Sequence, residues 1–243
     1  MSVARLLSVT AGLDAPRIFE RSVKLSHAGL SEDRGLVSMD RRALYPAPRT
    51  TLTETCTALG CPDPAPLLDH LAAAQAVHFG ADGEIGKCYL EFAPNSAPLP
   101  DLVFLALKWQ GDAVGLAHYT SLAQRSHAEK AAMIDTLVFD HVVRAVARRC
   151  LDLARDGDPD GTAVVLHVTE PDSRRASLDI SVADARRSLA EAASFLDPLF
   201  SAFELEGAAF LQTHGAARFG HLAVGMDRHG APFATLYFGA QAL

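Results

Sequence analysis

Four segments of this chain share one pattern: an apolar strand, a short turn rich in Asp, Gly or Pro, and a second strand. Repeated units of this kind cannot bury their apolar faces alone, so they assemble around one shared core. The same pattern in a weaker form predicts a fifth hairpin from Arg21–His27 and Gly35–Asp40. The four clear hairpins are Ala76–Phe92, Val103–Thr120, Thr162–Ser181 and His221–Phe238.

Helical spacing of apolar residues fills the segments between these hairpins. It predicts short helices over Thr51–Leu59 and Pro64–Ala74, a long helix over Ser126–Arg155, and another over Ala183–Leu205. The long helix begins with a Ser-x-x-Glu capping box. Antiparallel hairpins combined with amphipathic helices predict an α+β fold.

The repeated antiparallel β-hairpins supply about ten strands, and we expect the amphipathic helices to pack on one face of the sheet. A sheet of this size tends to curl, and closure into a barrel removes its exposed edges. We therefore predict a single domain over residues 1–243, with a closed or nearly closed barrel of about ten strands. Such a barrel is wide enough to hold a ligand. Two stacked sheet layers are the alternative.

Composition narrows the classes of function. The formal net charge of −7 argues against nucleic acid as a partner, because proteins that bind the phosphate backbone concentrate basic charge. No apolar run is long enough to span a membrane, and the N-terminal residues lack the features of a secretion signal. The four cysteines form neither a CxxC pair nor a zinc spacing, which predicts reduced, buried thiols in a cytoplasmic protein.

Lysines and tyrosines recur on the strands of the hairpins. Lys87 and Tyr89 are two residues apart and therefore share a face, and Lys108 lies on an otherwise apolar strand of the next hairpin. Tyr119 and Tyr237 take the place of Tyr89 in two other hairpins. A lysine on an apolar strand needs a partner, a solvent path or a charged ligand. These residues line a polar barrel interior or, alternatively, lie on the wet outer face of the sheet.

Two adjacent arginines, Arg174 and Arg175, begin the second strand of the third hairpin. Adjacent strand residues point to opposite faces, so we expect one arginine to face the lumen and the other to face outward. Ser177 and Asp179 continue the Arg175 face. This polar stripe is typical of the lining of a wet cavity or of the solvated face of a half-buried strand.

One stretch of the sequence resembles a known family. The segment Ala81–Pro98, ADGEIGKCYLEFAPNSAP, resembles the second repeat of the soluble ABBA-type aromatic prenyltransferases, in which a strand with a Lys-x-Tyr pattern lines a barrel of α-β-β-α repeats. The letters DGE followed by KCY match that repeat. Asp172–Leu178 with the helix that follows is similar to a later repeat, and His221–Phe238 is similar to the closing hairpin.

The resemblance implies a mechanism of prenyl transfer. An isoprenyl diphosphate would lie inside the barrel, and an electron-rich carbon of an aromatic acceptor would attack the allylic cation. This chain lacks the DDxxD motif, and the family does not require that motif. The resemblance therefore implies no certain cofactor, and Mg²⁺ is a possible one. The resemblance implies that the phosphates are bound by Lys87, Lys108 and an arginine of the pair Arg174 and Arg175. It also implies that the allylic cation is shielded by the rings of Tyr89, Tyr119 and Tyr237.

Other functions fit the same residues. The chain has no HExxH, GxSxG, Walker A or dinucleotide-binding glycine pattern, so residue patterns assign neither a catalytic residue nor a metal ligand. This absence favours a non-catalytic small-molecule-binding or accessory protein. The Ala-rich segment Ala183–Ala193 would permit close packing on a protein partner in an assembly. Convergence of Lys87, Lys108 and an arginine on one enclosed space separates these interpretations.

Overall fold

The computed structural model describes residues 1–138, 140–158, 163–171 and 173–243. Its helices are α1 (Val3–Thr10), α2 (Pro48–Ala58), α3 (Ala65–Leu68), α4 (His127–Leu137), α5 (His141–Gly157), α6 (Leu189–Ala202) and α7 (Gly207–His214). Its strands are β1 (Ile18–Ser26), β2 (Gly29–Ser31), β3 (Arg34–Asp40), β4 (Ala74–Asp82), β5 (Ile85–Phe92), β6 (Leu102–Gln110), β7 (Ala113–Ser121), β8 (Val165–Thr169), β9 (Ala176–Ser181), β10 (Phe219–Met226) and β11 (Pro232–Ala242).

Ten of the described strands close into one antiparallel barrel. β1 pairs with β3, each strand from β3 to β10 pairs with the next one in the sequence, and β11 pairs back with β1. The closing register runs from Ile18 opposite Ala242 to Leu25 opposite Ala234, while the short β2 pairs with β1. The predicted α+β fold and ten-stranded barrel are confirmed, including the weak fifth hairpin, and the alternative of two stacked layers is wrong.

Alternation of side chains along each strand gives the barrel an apolar outside and a polar inside. In β5, Cys88, Leu90 and Phe92 are buried in the layer between the barrel and the helices. Lys87 and Tyr89 point the other way and line the lumen. The apolar residues of the strands therefore pack against the covering helices, and the polar residues of the strands face the lumen.

Two apolar clusters hold the helices on the outer face of the barrel, as predicted. The first joins α4 to α7 with β1 and with β8 to β11, and it fully buries Phe200 and Phe219. The second joins α1 to α3 with β1 and with β3 to β6, and it fully buries Leu52 and Phe79. Burial of each large side chain stabilises the fold by about 1.5–3 kcal/mol. None of the described helices is long and apolar enough to cross a membrane.

The long helix predicted over Ser126–Arg155 is two helices, α4 and α5. The first begins at the predicted capping box, where the Ser126 side chain accepts a hydrogen bond from a backbone N–H of the first turn. Val138 has an extended backbone, and Asp140 caps the second helix by accepting hydrogen bonds from the N–H groups two and three residues further on. The prediction was wrong because an aspartate that satisfies these free N–H groups favours a new helix start.

The helix predicted over Ala183–Leu205 is shorter than expected. A short 3-10 turn at Ala183–Ala185 ends at Arg186, whose backbone φ of 55° cannot continue a right-handed helix. Ser188 then caps α6 and forms a capping box with Glu191. The apolar spacing alone did not reveal this second start signal.

Candidate functional site

The barrel lumen brings together most of the residues predicted for the site. Lys108 lies opposite Lys87 in the β5–β6 pairing, and both side chains therefore point to the same side of the sheet. Arg174 lines a separate cavity at the end of the barrel, and β9 begins at Ala176, two residues later than predicted. The predicted residues that line the interior spaces are Lys87, Tyr89, Tyr119, Arg175 and Tyr237.

Five cationic side chains converge at one end of the lumen; we call them the cation cluster. Sequence reasoning missed two of them, Lys24 and Arg34. Lys24 lies between the outward-facing Val23 and Leu25 of β1, so the alternation that singled out Lys87 also applies to it. Arg34 is the first residue of β3, where no alternation precedes it. The cation cluster consists of Lys24, Arg34, Lys87, Lys108 and Arg175.

Burial and mutual repulsion make positive charge costly in the cation cluster. Burial lowers the pKa of Lys87 well below its ordinary value, and the neighbouring Arg34 and Arg175 lower it further. The pKa values of Lys108 and Lys24 are lowered for the same reasons, with burial as the larger cause. An anion in this space would relieve the repulsion and would favour the charged form of each lysine.

Two carboxylates neutralise part of the cation cluster. Asp82, at the end of β4, contacts Arg34 and accepts a hydrogen bond of 2.8 Å from Lys87 Nζ. Glu170, directly after β8, accepts one of 2.8 Å from Lys108 Nζ. Burial alone would raise the pKa of Glu170, but its cationic neighbours lower it below the ordinary value, so this carboxylate is charged at neutral pH. Both acids were absent from the predicted site.

Aromatic rings line the lumen beside the cation cluster. The ring centroids of Tyr89 and Tyr119 are 5.6 Å apart, and Phe104 lies 6.4 Å from the first and 6.0 Å from the second, all in edge-to-face arrangements. Such geometry is favourable between aromatic quadrupoles. Burial raises the pKa of Tyr89 well above its ordinary value, so its phenol stays neutral. Lys108 Nζ lies 5.7 Å from the Tyr119 centroid, which places the rings next to the cations.

An imidazole between two carboxylates lies deeper in the lumen. His221 Nδ1 is 2.6 Å from Asp179 Oδ1, and its Nε2 is 3.2 Å from Glu20 Oε2. The ring stacks on Tyr237 at 3.8 Å with an interplanar angle of 8°. Burial alone would lower the pKa of His221, but the two carboxylates raise it to about 10. His221 is therefore an imidazolium at neutral pH.

A second imidazole contributes to the same part of the lumen. His78 Nδ1 is 2.7 Å from Ser38 Oγ, and its Nε2 is 2.8 Å from Glu91 Oε2. The hydrogen bond from His78 lowers the pKa of Glu91 below its ordinary value. Both imidazoles surround a cavity of about 250 Å³ together with the rings of Tyr89, Phe104, Tyr119 and Tyr237. The lumen thus has a cationic end, an aromatic middle and an end rich in carboxylates and imidazoles.

A larger cavity of about 550 Å³ lies at the cationic end of the barrel, next to the cation cluster. Lys108 of the cluster, Arg174 and Arg228 line it together with Glu170. Within the ranges that the structure describes, no group of three or more His, Cys, Asp or Glu side chains is placed to hold a metal ion.

Comparison with solved structures identifies the barrel. 5-Dimethylallyltryptophan synthase from Streptomyces coelicolor has a TM-score of 0.60 and 15% identity to this chain, over 90% of this chain and 80% of that one. The fold is that of the ABBA-type aromatic prenyltransferases. PriB, in a binary complex with product diphosphate, gives a TM-score of 0.62 at 16% identity over 91% and 79% of the two chains. NotF prenyltransferase gives 0.57 at 12% identity over 91% and 80%.

The resemblance found in the Lys-x-Tyr segment is therefore confirmed at the level of the fold. No protein-family model and no curated protein matches the sequence. Sequence identities of 11–16% establish the fold and not the activity, because one barrel fold can serve different reactions. The chemistry has to be argued from the side chains in the lumen.

Proposed function

We propose that the chain transfers a prenyl group from an isoprenyl diphosphate to an aromatic acceptor inside the barrel. The observation that carries this proposal is the convergence of five cationic side chains on one end of a closed lumen, beside a group of aromatic rings. A diphosphate has the charge for the first region, and a prenyl chain fits the second. Among proteins with this fold, PriB has been solved with product diphosphate, and the Streptomyces coelicolor synthase with DMASPP and Trp.

The cation cluster would bind the diphosphate as it leaves. When the bond between the first prenyl carbon and the bridging oxygen breaks, its electron pair goes to the diphosphate, which gains negative charge. Fixed cations in a space with little water stabilise that charge more than water does. Among the described residues, no acceptor forms a hydrogen bond with the buried Nε of Arg34 or Arg175. Diphosphate oxygens would satisfy both donors.

The aromatic rings would stabilise the other product of that step, the allylic cation. Ring faces attract cations, so rings around the cleaved bond favour the charge that develops on the prenyl group. Tyr89, Phe104, Tyr119 and Tyr237 all line the same cavity of about 250 Å³. Exclusion of water from this cavity would protect the cation from hydrolysis until the acceptor attacks.

The third region of the lumen would bind the acceptor. A ring carbon of the acceptor forms the new bond to the prenyl group, and the ring then loses a proton to restore aromaticity. Glu20 and Asp179 are the carboxylates that face this cavity, and both contact the His221 imidazolium. They are suited to accept a hydrogen bond from the acceptor and to receive the released proton.

The proposal predicts that isoprenyl diphosphates stabilise the protein against thermal unfolding. A ligand at 100 times its Kd adds about 2.7 kcal/mol to the free energy of unfolding. Dimethylallyl, geranyl and inorganic diphosphate should each raise the Tm of the wild type. Lys87→Met should weaken this binding about tenfold or more, because hydrogen bonds to charged groups contribute roughly 1.5–3 kcal/mol.

Lys130→Met is the matched control. Lys130 is 3% exposed, close to the 5% of Lys108, but it lies on α4 outside the barrel, and its Nζ donates to the Ala163 carbonyl. This variant should keep the response to diphosphates. Absence of any Tm shift in the wild type would contradict prenyl transfer. Incubation with dimethylallyl diphosphate and tryptophan or other indoles, followed by mass spectrometry, then tests transfer itself.

The same experiments test the non-catalytic alternative and the requirement for Mg²⁺. Diphosphate binding without a prenylated product from any acceptor would support the non-catalytic binding or accessory protein. Mg²⁺ stays a prediction, and it is tested by repeating the binding and transfer assays with EDTA and with added MgCl₂. Binding that survives EDTA means that the cation cluster holds the diphosphate without metal.

A further inference from the structure

Glu170 joins the cation cluster to the outside of the barrel. Its carboxylate is 2.8 Å from Lys108 Nζ, 3.5 Å from Arg175 Nε and 3.9 Å from Arg228 Nη2. Only 9% of the side chain is exposed. A carboxylate with three cationic neighbours occupies the kind of position that a phosphate oxygen takes in an anion site.

The space enclosed between the members of the cation cluster is small, and larger cavities lie beside it. The interior space lined by Lys24, Arg34, Lys87 and Arg175 is about 20 Å³, against about 250 Å³ for the lumen cavity that Arg34 and Lys87 also line. On its other side, Glu170 lines the cavity of about 550 Å³ at the barrel end. The carboxylate therefore has room to turn outward, into this cavity.

We propose that the Glu170 carboxylate is an internal anion that competes with the diphosphate for Lys108 and Arg175. Entry of the ligand displaces it from both cations and turns it into the outer cavity, where Arg228 can still pair with it. This inference rests on the proposed function, because it takes the diphosphate as the competing ligand. Glu170 thereby sets the affinity of the donor site, although it contacts neither the prenyl group nor the reacting carbon.

The test is the affinity for inorganic diphosphate, measured by isothermal titration calorimetry on the intact chain. Glu170→Gln removes the competing charge and keeps the shape, so it should bind diphosphate about tenfold or more tightly than the wild type. Glu170→Asp keeps the charge and should bind less tightly than Glu170→Gln. Glu84→Gln is the control, since Glu84 is exposed at the same end of the barrel and accepts a hydrogen bond from Gln110.

The direction of the change separates competition from a structural role. If Glu170 merely positions Lys108 and Arg175, the glutamine variant binds more weakly, and the proposal is overturned. Equal affinities also overturn it and leave the proposed function standing. If neither the wild type nor Glu170→Gln binds diphosphate, both proposals are wrong. If only Glu170→Gln binds it, the competition by Glu170 is supported, and binding of the donor by the wild type is contradicted. If Glu170→Gln does not fold, Glu170→Ala is used in its place. The Glu170 side chain faces an open cavity, so its removal leaves no closed void.

Discussion

His221 couples the charge of the acceptor region to the stability of the fold. Its imidazolium is held by Asp179 and Glu20, residues of β9 and β1, and it therefore links three strands across the lumen. The folded-state pKa of about 10 lies above the ordinary value of 6.5. The ion pairs thus stabilise the fold fully below pH 6.5, where both states carry the proton. Their contribution declines as the pH rises toward 10.

We predict a pH dependence that His221→Gln removes. Between pH 7 and 10 the folded wild type retains a proton that the unfolded chain has lost. Its free energy of unfolding should therefore fall relative to the variant by at most ~1.4 kcal/mol per pH unit. Urea unfolding of both proteins across this range measures the difference. His229→Gln, on the exposed turn after β10, should follow the wild type. Parallel pH profiles for wild type and His221→Gln would contradict the assigned charge.

The predicted and missed site residues differ in how locally they are specified. Lys87 and Tyr89 were found because the alternation of a single strand sets their direction. Asp82 and Glu170 lie where strands end, and their role depends on which cations come from other hairpins. The sequence places Lys108 and Glu170 62 residues apart, and only the closed barrel brings them together.

At the scale of elements, one glycine allows β5 and β6 to pack beneath the helices. Gly86 lies opposite Trp109 in the register, and a side chain at Gly86 would overlap the indole ring. Trp109 is 4% exposed, and its Nε1 donates to the Leu59 carbonyl at 3.4 Å. The ring is therefore fixed between the strand pair and the end of α2, and it has little freedom to move.

Gly86→Ala should destabilise the protein by about 1–3 kcal/mol, the usual cost of overpacking a tight core. The measurement is the midpoint of urea unfolding, together with the emission of Trp109, which is the only tryptophan of the chain. Gly115→Ala is the matched control on β7, because no atom would lie within 4 Å of its added Cβ. A Gly86→Ala variant as stable as the Gly115→Ala variant would show that the indole is not confined.

The elements themselves were predicted unevenly for a physical reason. Hairpins were recognised because alternation and turn residues lie close together in the sequence. The break between α4 and α5 was missed because Asp140 acts against an apolar stripe that continues on both sides of it. Helical periodicity reports the face that a segment buries, and it does not report where a capping side chain restarts the helix.

At the scale of the whole molecule, closure of the barrel depends on its two ends. β1 and β11 pair over the register that joins Ile18 to Ala242, although these strands lie at opposite ends of the sequence. No local pattern specifies such a pairing, so sequence reasoning could argue for closure only from the exposed edges it removes. The closed barrel is also the one structure that the two outer apolar clusters share, and β1 contributes residues to both.

We therefore propose that residues 1–243 unfold as a single unit, and buried thiols in each cluster test this. Cys88 belongs to the second cluster and Cys150 to the first, and both are 0% exposed. Alkylation in increasing urea, quantified for each cysteine by peptide mass spectrometry, should give one common midpoint. Leu196→Ala, a cavity in the first cluster costing roughly 2–5 kcal/mol, should lower both midpoints equally. A shift confined to Cys150 would divide the chain into two units, because the shared barrel would then fail to couple its clusters.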